Sequence, residues 1–208
     1  PPSGGVFSGT TATSTILNWA AGDGSTSERE YAGSRFVQGT GNVINGTTFN
    51  PHPLAGLLDG TDYDFYGQTY VPGKGEIACG YFVTTVLEDM GIELDRVELA
   101  KAASEKMIRT LVEPSHIQRF SKKTMEQFLA GIKARGVGIY VVGLDRHTGF
   151  IVNLDPDDIR FVHSSGRRPL GVINEPATTA RSLIKSKYRV IGKLTMDERF
   201  LKNWLALK

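Results

Sequence analysis

Residues 137–165, VGIYVVGLDRHTGFIVNLDPDDIRFVHSS, decide the fold. Three runs rich in Val, Ile, Tyr and Phe, at 137–144, 148–153 and 159–164, are separated by the short polar turns Asp145-Arg146 and Leu154-Asp155-Pro156-Asp157-Asp158. β-branched and aromatic runs bounded by turn residues read as strands. Turns this short join antiparallel neighbours, because parallel strands need a long crossover. Residues 188–194 have the same texture and give a fourth strand.

Upstream the period becomes helical. Residues 79–90 are apolar on most sides and stop at Gly91, the pattern of a buried central helix. Asp95, with Glu98 three positions on, opens a helix over 96–111, where Val97, Ala100, Met107, Ile108 and Leu111 recur at near-helical spacing. Thr124, with Gln127, opens another over 125–134, striped by Met125, Phe128, Leu129 and Ile132 and ended by Gly136. Both openings are capping-box patterns. Thr195 is expected to cap a last helix over 196–205. Helices followed by an antiparallel sheet make an α+β domain over residues 51–208. Residues 1–50 differ: they hold 9 Gly, 8 Thr, 6 Ser and no Lys. They read as an N-terminal extension or a small β region, with 13–19 as its strand.

The 208 residues are 40% hydrophobic, enough for one sizeable core. Lys and Arg number 24 against 22 Asp and Glu, a formal charge of +2, so no nucleic acid partner held by bulk charge is expected. Mean hydropathy is −0.18 and no apolar run is long enough to span a membrane. The chain opens Pro1-Pro2-Ser3 without Met, as expected of a processed product. Cys79 is the one cysteine, which excludes an intrachain disulfide and a multi-cysteine metal site.

Cys79 follows the Gly-rich segment Pro72-Gly73-Lys74-Gly75 and begins the first helix. Unpaired N–H groups and the positive end of the helix dipole there are expected to favour thiolate and to serve an oxyanion. Gly80 is expected to leave room for substrate. His147 stands at the start of one strand and His163 at the end of the next. A turn near 155–157 sets them opposite each other, so that one ring holds the other's tautomer. Two histidines with no third ligand at fixed spacing do not make a zinc site, and no metal or cofactor is expected.

Tyr63-Asp64-Phe65-Tyr66-Gly67, Cys79 opening a helix, His147-Thr148-Gly149-Phe150-Ile151-Val152, and Phe161-Val162-His163-Ser164-Ser165 together resemble the papain-like fold of NlpC/P60 cysteine hydrolases. The resemblance covers about residues 60–194. It implies a central cysteine-bearing helix packed on an antiparallel sheet, here with the 92–136 helices as an insert. It implies Cys79 as nucleophile, His147 as base, His163 as orienting residue and Tyr63 as an oxyanion-side donor. It further implies a secreted or periplasmic monomer that cleaves an amide bond in a peptide or peptidoglycan-type substrate. The Ala78-Cys79-Gly80-Tyr81 sequence departs from the family's usual Asp-Cys-Ser-Gly, as expected of a divergent branch. Tyr66, Gln68 and Tyr70, in the loop before Cys79, are candidate substrate contacts.

Two alternatives accompany this reading. Trp19 followed by Leu54–Tyr63 is similar to a fibronectin type III module, which implies a non-catalytic extracellular binding protein. The same cysteine site with another acyl acceptor implies an acyltransferase or transglutaminase. Asn45-Gly46-Thr47 reads as a turn.

Overall fold

The computed structural model describes residues 60–205 and the strand segments 5–11 and 14–19. The turn expected at Asn45-Gly46-Thr47 and most of the fibronectin-like stretch lie outside the described residues. Strands β1 (Gly5–Thr11) and β2 (Ser14–Trp19) pair antiparallel, with an irregularity between Phe7 and Thr10.

Helix α1 (Cys79–Asp89) is buried from Gly80 through Leu87. It closes on Gly91, at φ 90°. The Gly91 N–H reaches Glu88 O at 2.8 Å and the Ile92 N–H reaches Leu87 O at 3.0 Å, the two bonds of a Schellman cap. The helix expected over 96–111 is two helices, α2 (Arg96–Lys101) and α3 (Ser104–Leu111). Ala102 between them is extended, at ψ 153°. Asp95 caps the Glu98 N–H at 2.8 Å. Helix α4 (Met125–Ala134) carries the full reciprocal box of Thr124 and Gln127, each bond 3.2 Å.

The main sheet has six antiparallel strands in the order β3-β8-β4-β5-β6-β7. Four were expected: β4 (Gly138–Leu144), β5 (Thr148–Asn153), β6 (Arg160–Ser165) and β8 (Tyr188–Lys193). The two edge strands, β3 (Ile117–Ser121) and β7 (Gly171–Pro176), were not. Alternate residues feed two cores. Val141, Phe150, Val152, Val162 and Val190 join α1 and α3 on one face. Tyr140, Val142, Ile151, Phe161 and Ile191 join α4 and the short helix α5 (Arg181–Lys185) on the other. The domain is therefore α+β in three layers, with β4 and β5 buried on both sides. Helix α6 (Glu198–Leu205) ends the description. Its cap is Asp197, which accepts from the Phe200 N–H at 2.9 Å. Thr195, expected there, instead accepts from the Ile139 N–H at 3.3 Å. No described helix is long and apolar enough to cross a membrane.

Candidate active site

Cys79 is the first residue of α1, after Ala78 in extended conformation. Its segment is bound down on both sides. The Ile77 N–H reaches Asp62 O and the Ala78 N–H reaches Gly67 O, both at 2.9 Å. Ser164, on β6, donates its hydroxyl to Ile77 O at 2.6 Å. Ser164 thus pins the cysteine's approach to the strand that carries His163, and nothing in the sequence singled it out.

Gly80 does not leave room for substrate. A Cβ there would lie 2.1 Å from Ala100 O, because the missing side chain admits the backbone of α2. The Thr148 N–H, at the start of β5, is among the groups that pull the Cys79 thiol down. Thr148 directly follows His147, the candidate base.

His147 and His163 are bonded, Nε2 to Nδ1, at 2.6 Å. They are not opposite each other as expected. The register pairs Phe150 with Val162, and its continuation sets His163 across from Gly149. The contact is diagonal and passes over Gly149, where a Cβ would lie 2.7 Å from His163 Cβ. His163 is 1% exposed and stacks on Phe161, with ring centroids 4.0 Å apart. Its Nε2 meets Glu175 Oε1 at 3.0 Å. Glu175 lies on β7, a strand the sequence reading lacked. The short Val172-Ile173 pair after Gly171 was the available signal.

A carboxylate only accepts, so the bond to Glu175 places a proton on His163 Nε2. His163 Nδ1 must then accept from the His147 Nε2–H. That leaves His147 Nδ1 as the unprotonated nitrogen, the one that can act as a base.

The ionisation of this set runs against the sequence expectation of a thiolate. Burial pushes the Cys79 thiol up, although the N–H groups of Thr148, Gly80 and Cys79 pull it down. Burial, His163 and Arg167 lower His147 to about 3. Burial also lowers His163, opposed by Glu175. At rest the pair is therefore a neutral thiol beside a neutral imidazole. The helix terminus is outweighed by the burial of the thiol.

Tyr63 lies on the same rim. Burial and the charge of Cys79 raise its phenol, and its ring rests on Gly166, where a Cβ would be 2.7 Å from Cε1. The remaining candidates lie in the loop before Cys79. Tyr66 is 79% exposed. Gln68 is exposed and gives its carbonyl to Arg96 Nη2 at 2.8 Å. Tyr70 covers the Arg96 guanidinium, 3.7 Å from ring centroid to Cζ. The structure thus brings His147 and His163 together, while Gln68 and Tyr70 fasten their loop to α2. Among the described residues no cluster of metal-ligating groups occurs. No family model, curated protein or solved structure matches the chain.

Proposed function

We propose that this chain is a cysteine hydrolase that cleaves an amide bond, in a peptide or cell-wall peptide, through a thioester on Cys79, on a divergent papain-like fold of the NlpC/P60 type. The observation that carries the reading is the hydrogen-bonded series from Glu175 through His163 to His147, one residue before Thr148, whose N–H lowers the Cys79 thiol. The order of cysteine on a helix start, histidine before one strand and histidine on the next supports the fold assignment.

The neutral resting pair calls for proton transfer during attack rather than before it. As the sulfur bonds to the carbonyl carbon, its proton passes to His147 Nδ1. The oxyanion forms beside the Cys79 N–H, one of the unpaired donors of the helix start, with Tyr63 as a second donor. His147 then gives its proton to the amide nitrogen, the C–N bond breaks and the amine leaves. Water, deprotonated by His147, attacks the thioester, releases the acid and restores the thiol.

Incubation with wall peptides and with a mixed peptide pool tests this. New amino and carboxyl termini should appear, with an acyl adduct on Cys79 after acid quench, and Cys79→Ala should give neither. Absence of cleavage in every pool, from a folded chain whose Cys79 still alkylates, would overturn hydrolysis. Amine-capture products in place of the acid would move the reading to acyl transfer.

A further inference from the structure

The turn between β6 and β7, residues 166–170, follows the strand that carries His163 and has no part in the mechanism above. Ser165 stands two residues past His163 on β6, on the same face, and His163 is bonded to His147. The Ser165 hydroxyl accepts from the Arg167 N–H at 3.2 Å and donates to Arg167 O at 2.7 Å. On the other side Gly166 lies against the Tyr63 ring. Arg167 is therefore mounted on a fixed piece of backbone between the candidate base and Tyr63.

Its side chain is exposed. Among the described residues no carboxylate pairs with it, and Glu175 is committed to His163. An unpaired arginine on an open surface is ordinarily just a solvated charge. This one stands in the turn after the strand that carries His163, and its charge opposes protonation of His147. A cation so placed hinders the reaction unless the substrate brings the compensating anion.

We propose that Arg167 anchors a carboxylate on the leaving-group side of the substrate, so that the released amine carries a negative charge near the scissile nitrogen. The side follows from the amide-hydrolase reading, on which this inference rests: His147 protonates the leaving nitrogen, so the part of the substrate beside Arg167 belongs to the amine. Guanidinium and carboxylate match as a two-pronged hydrogen-bonded pair. Once docked, the carboxylate cancels the field of Arg167 at His147. The base then strengthens only when the right substrate is seated, which couples recognition to proton transfer.

Iodoacetate and iodoacetamide test the anchor without a known substrate. Both form the same S–C bond to Cys79 and expel iodide, and they differ in charge. Rates are measured on the folded chain at mildly alkaline pH, and their ratio is compared with that of free cysteine. The iodoacetate preference should exceed the free-thiol ratio by about tenfold, the low end of electrostatic steering, and should shrink with added salt. Arg167→Gln should return the ratio to the free-thiol value, and Arg167→Lys should keep part of the preference. An equal ratio in wild type and Arg167→Gln would overturn the anchor while leaving the thiol chemistry standing. Labelling by neither reagent before unfolding would overturn the reactive thiol, and the anchor with it.

Discussion

Glu175 settles which nitrogen of His147 is basic, so it should matter in proportion to its distance from the chemistry. His147→Ala should lower kcat by about a hundred- to ten-thousand-fold, the usual contribution of a positioned base. His163→Ala should cost less, and Glu175→Leu should resemble it, because both release the His147 tautomer. Glu175→Gln should be mildest, since an amide oxygen still accepts from the His163 Nε2–H at the 3.0 Å contact. Equal losses in all four, by steady-state kinetics on any cleaved peptide, would contradict the series. The thiol makes a second residue-scale prediction. Burial raises Cys79, so its iodoacetamide labelling should climb only above the ordinary thiol range. A plateau at neutral pH would mean that the helix terminus outweighs burial after all.

Elements were legible where both of their faces are buried. β4, β5, β6 and β8 are runs of apolar residues because layers cover the sheet on each side, and such runs stand out in a sequence. β7 did not, since it is an edge strand that is partly exposed beyond Val172, and Glu175 was missed with it. The break at Ala102 was equally silent: Ala102-Ala103 continues a helical pattern, and the turn away follows from packing. Gly80 is part of that packing. Its bare Cα lets α2 close on α1, with Ala100 O 2.1 Å from where a Cβ would stand. Gly80→Ala should therefore destabilise the fold by about 1–3 kcal/mol, the cost of overpacking. The melting temperature from circular dichroism checks this, and an unchanged melt would mean that the two helices separate freely. The neighbour relation of His147 and His163 could be read from order and element type. The state of the thiol could not, because it depends on how deeply the sulfur is packed.

At the scale of the whole molecule, the site makes stability depend on pH. His147 sits at about 3 when folded, against an ordinary 6.5. Between those values the unfolded chain binds a proton that the folded chain refuses, so stability falls as pH falls from about 6.5 towards 3. His163, also lowered by burial, acts in the same direction. Asp89 acts in the opposite direction. Burial and Glu88 raise it to about 6 from 3.8, so in that interval the folded chain binds the extra proton and gains stability on acidification. The two effects overlap, and each is worth at most about 1.4 kcal/mol per pH unit. The wild-type urea midpoint should therefore decline only gently between pH 6.5 and 4.5. His147→Gln removes one opposing group and should flatten or reverse that decline, while Asp89→Asn removes the other and should steepen it. Asp145, Asp197 and Glu105 are all lowered when folded, so their stabilisation is lost below this window and does not imitate the histidine effect. Urea titrations of the three proteins at half-unit pH steps measure the slopes. Parallel curves for wild type and His147→Gln would show that His147 is solvated and free to protonate, and the neutral resting pair would fall with that result.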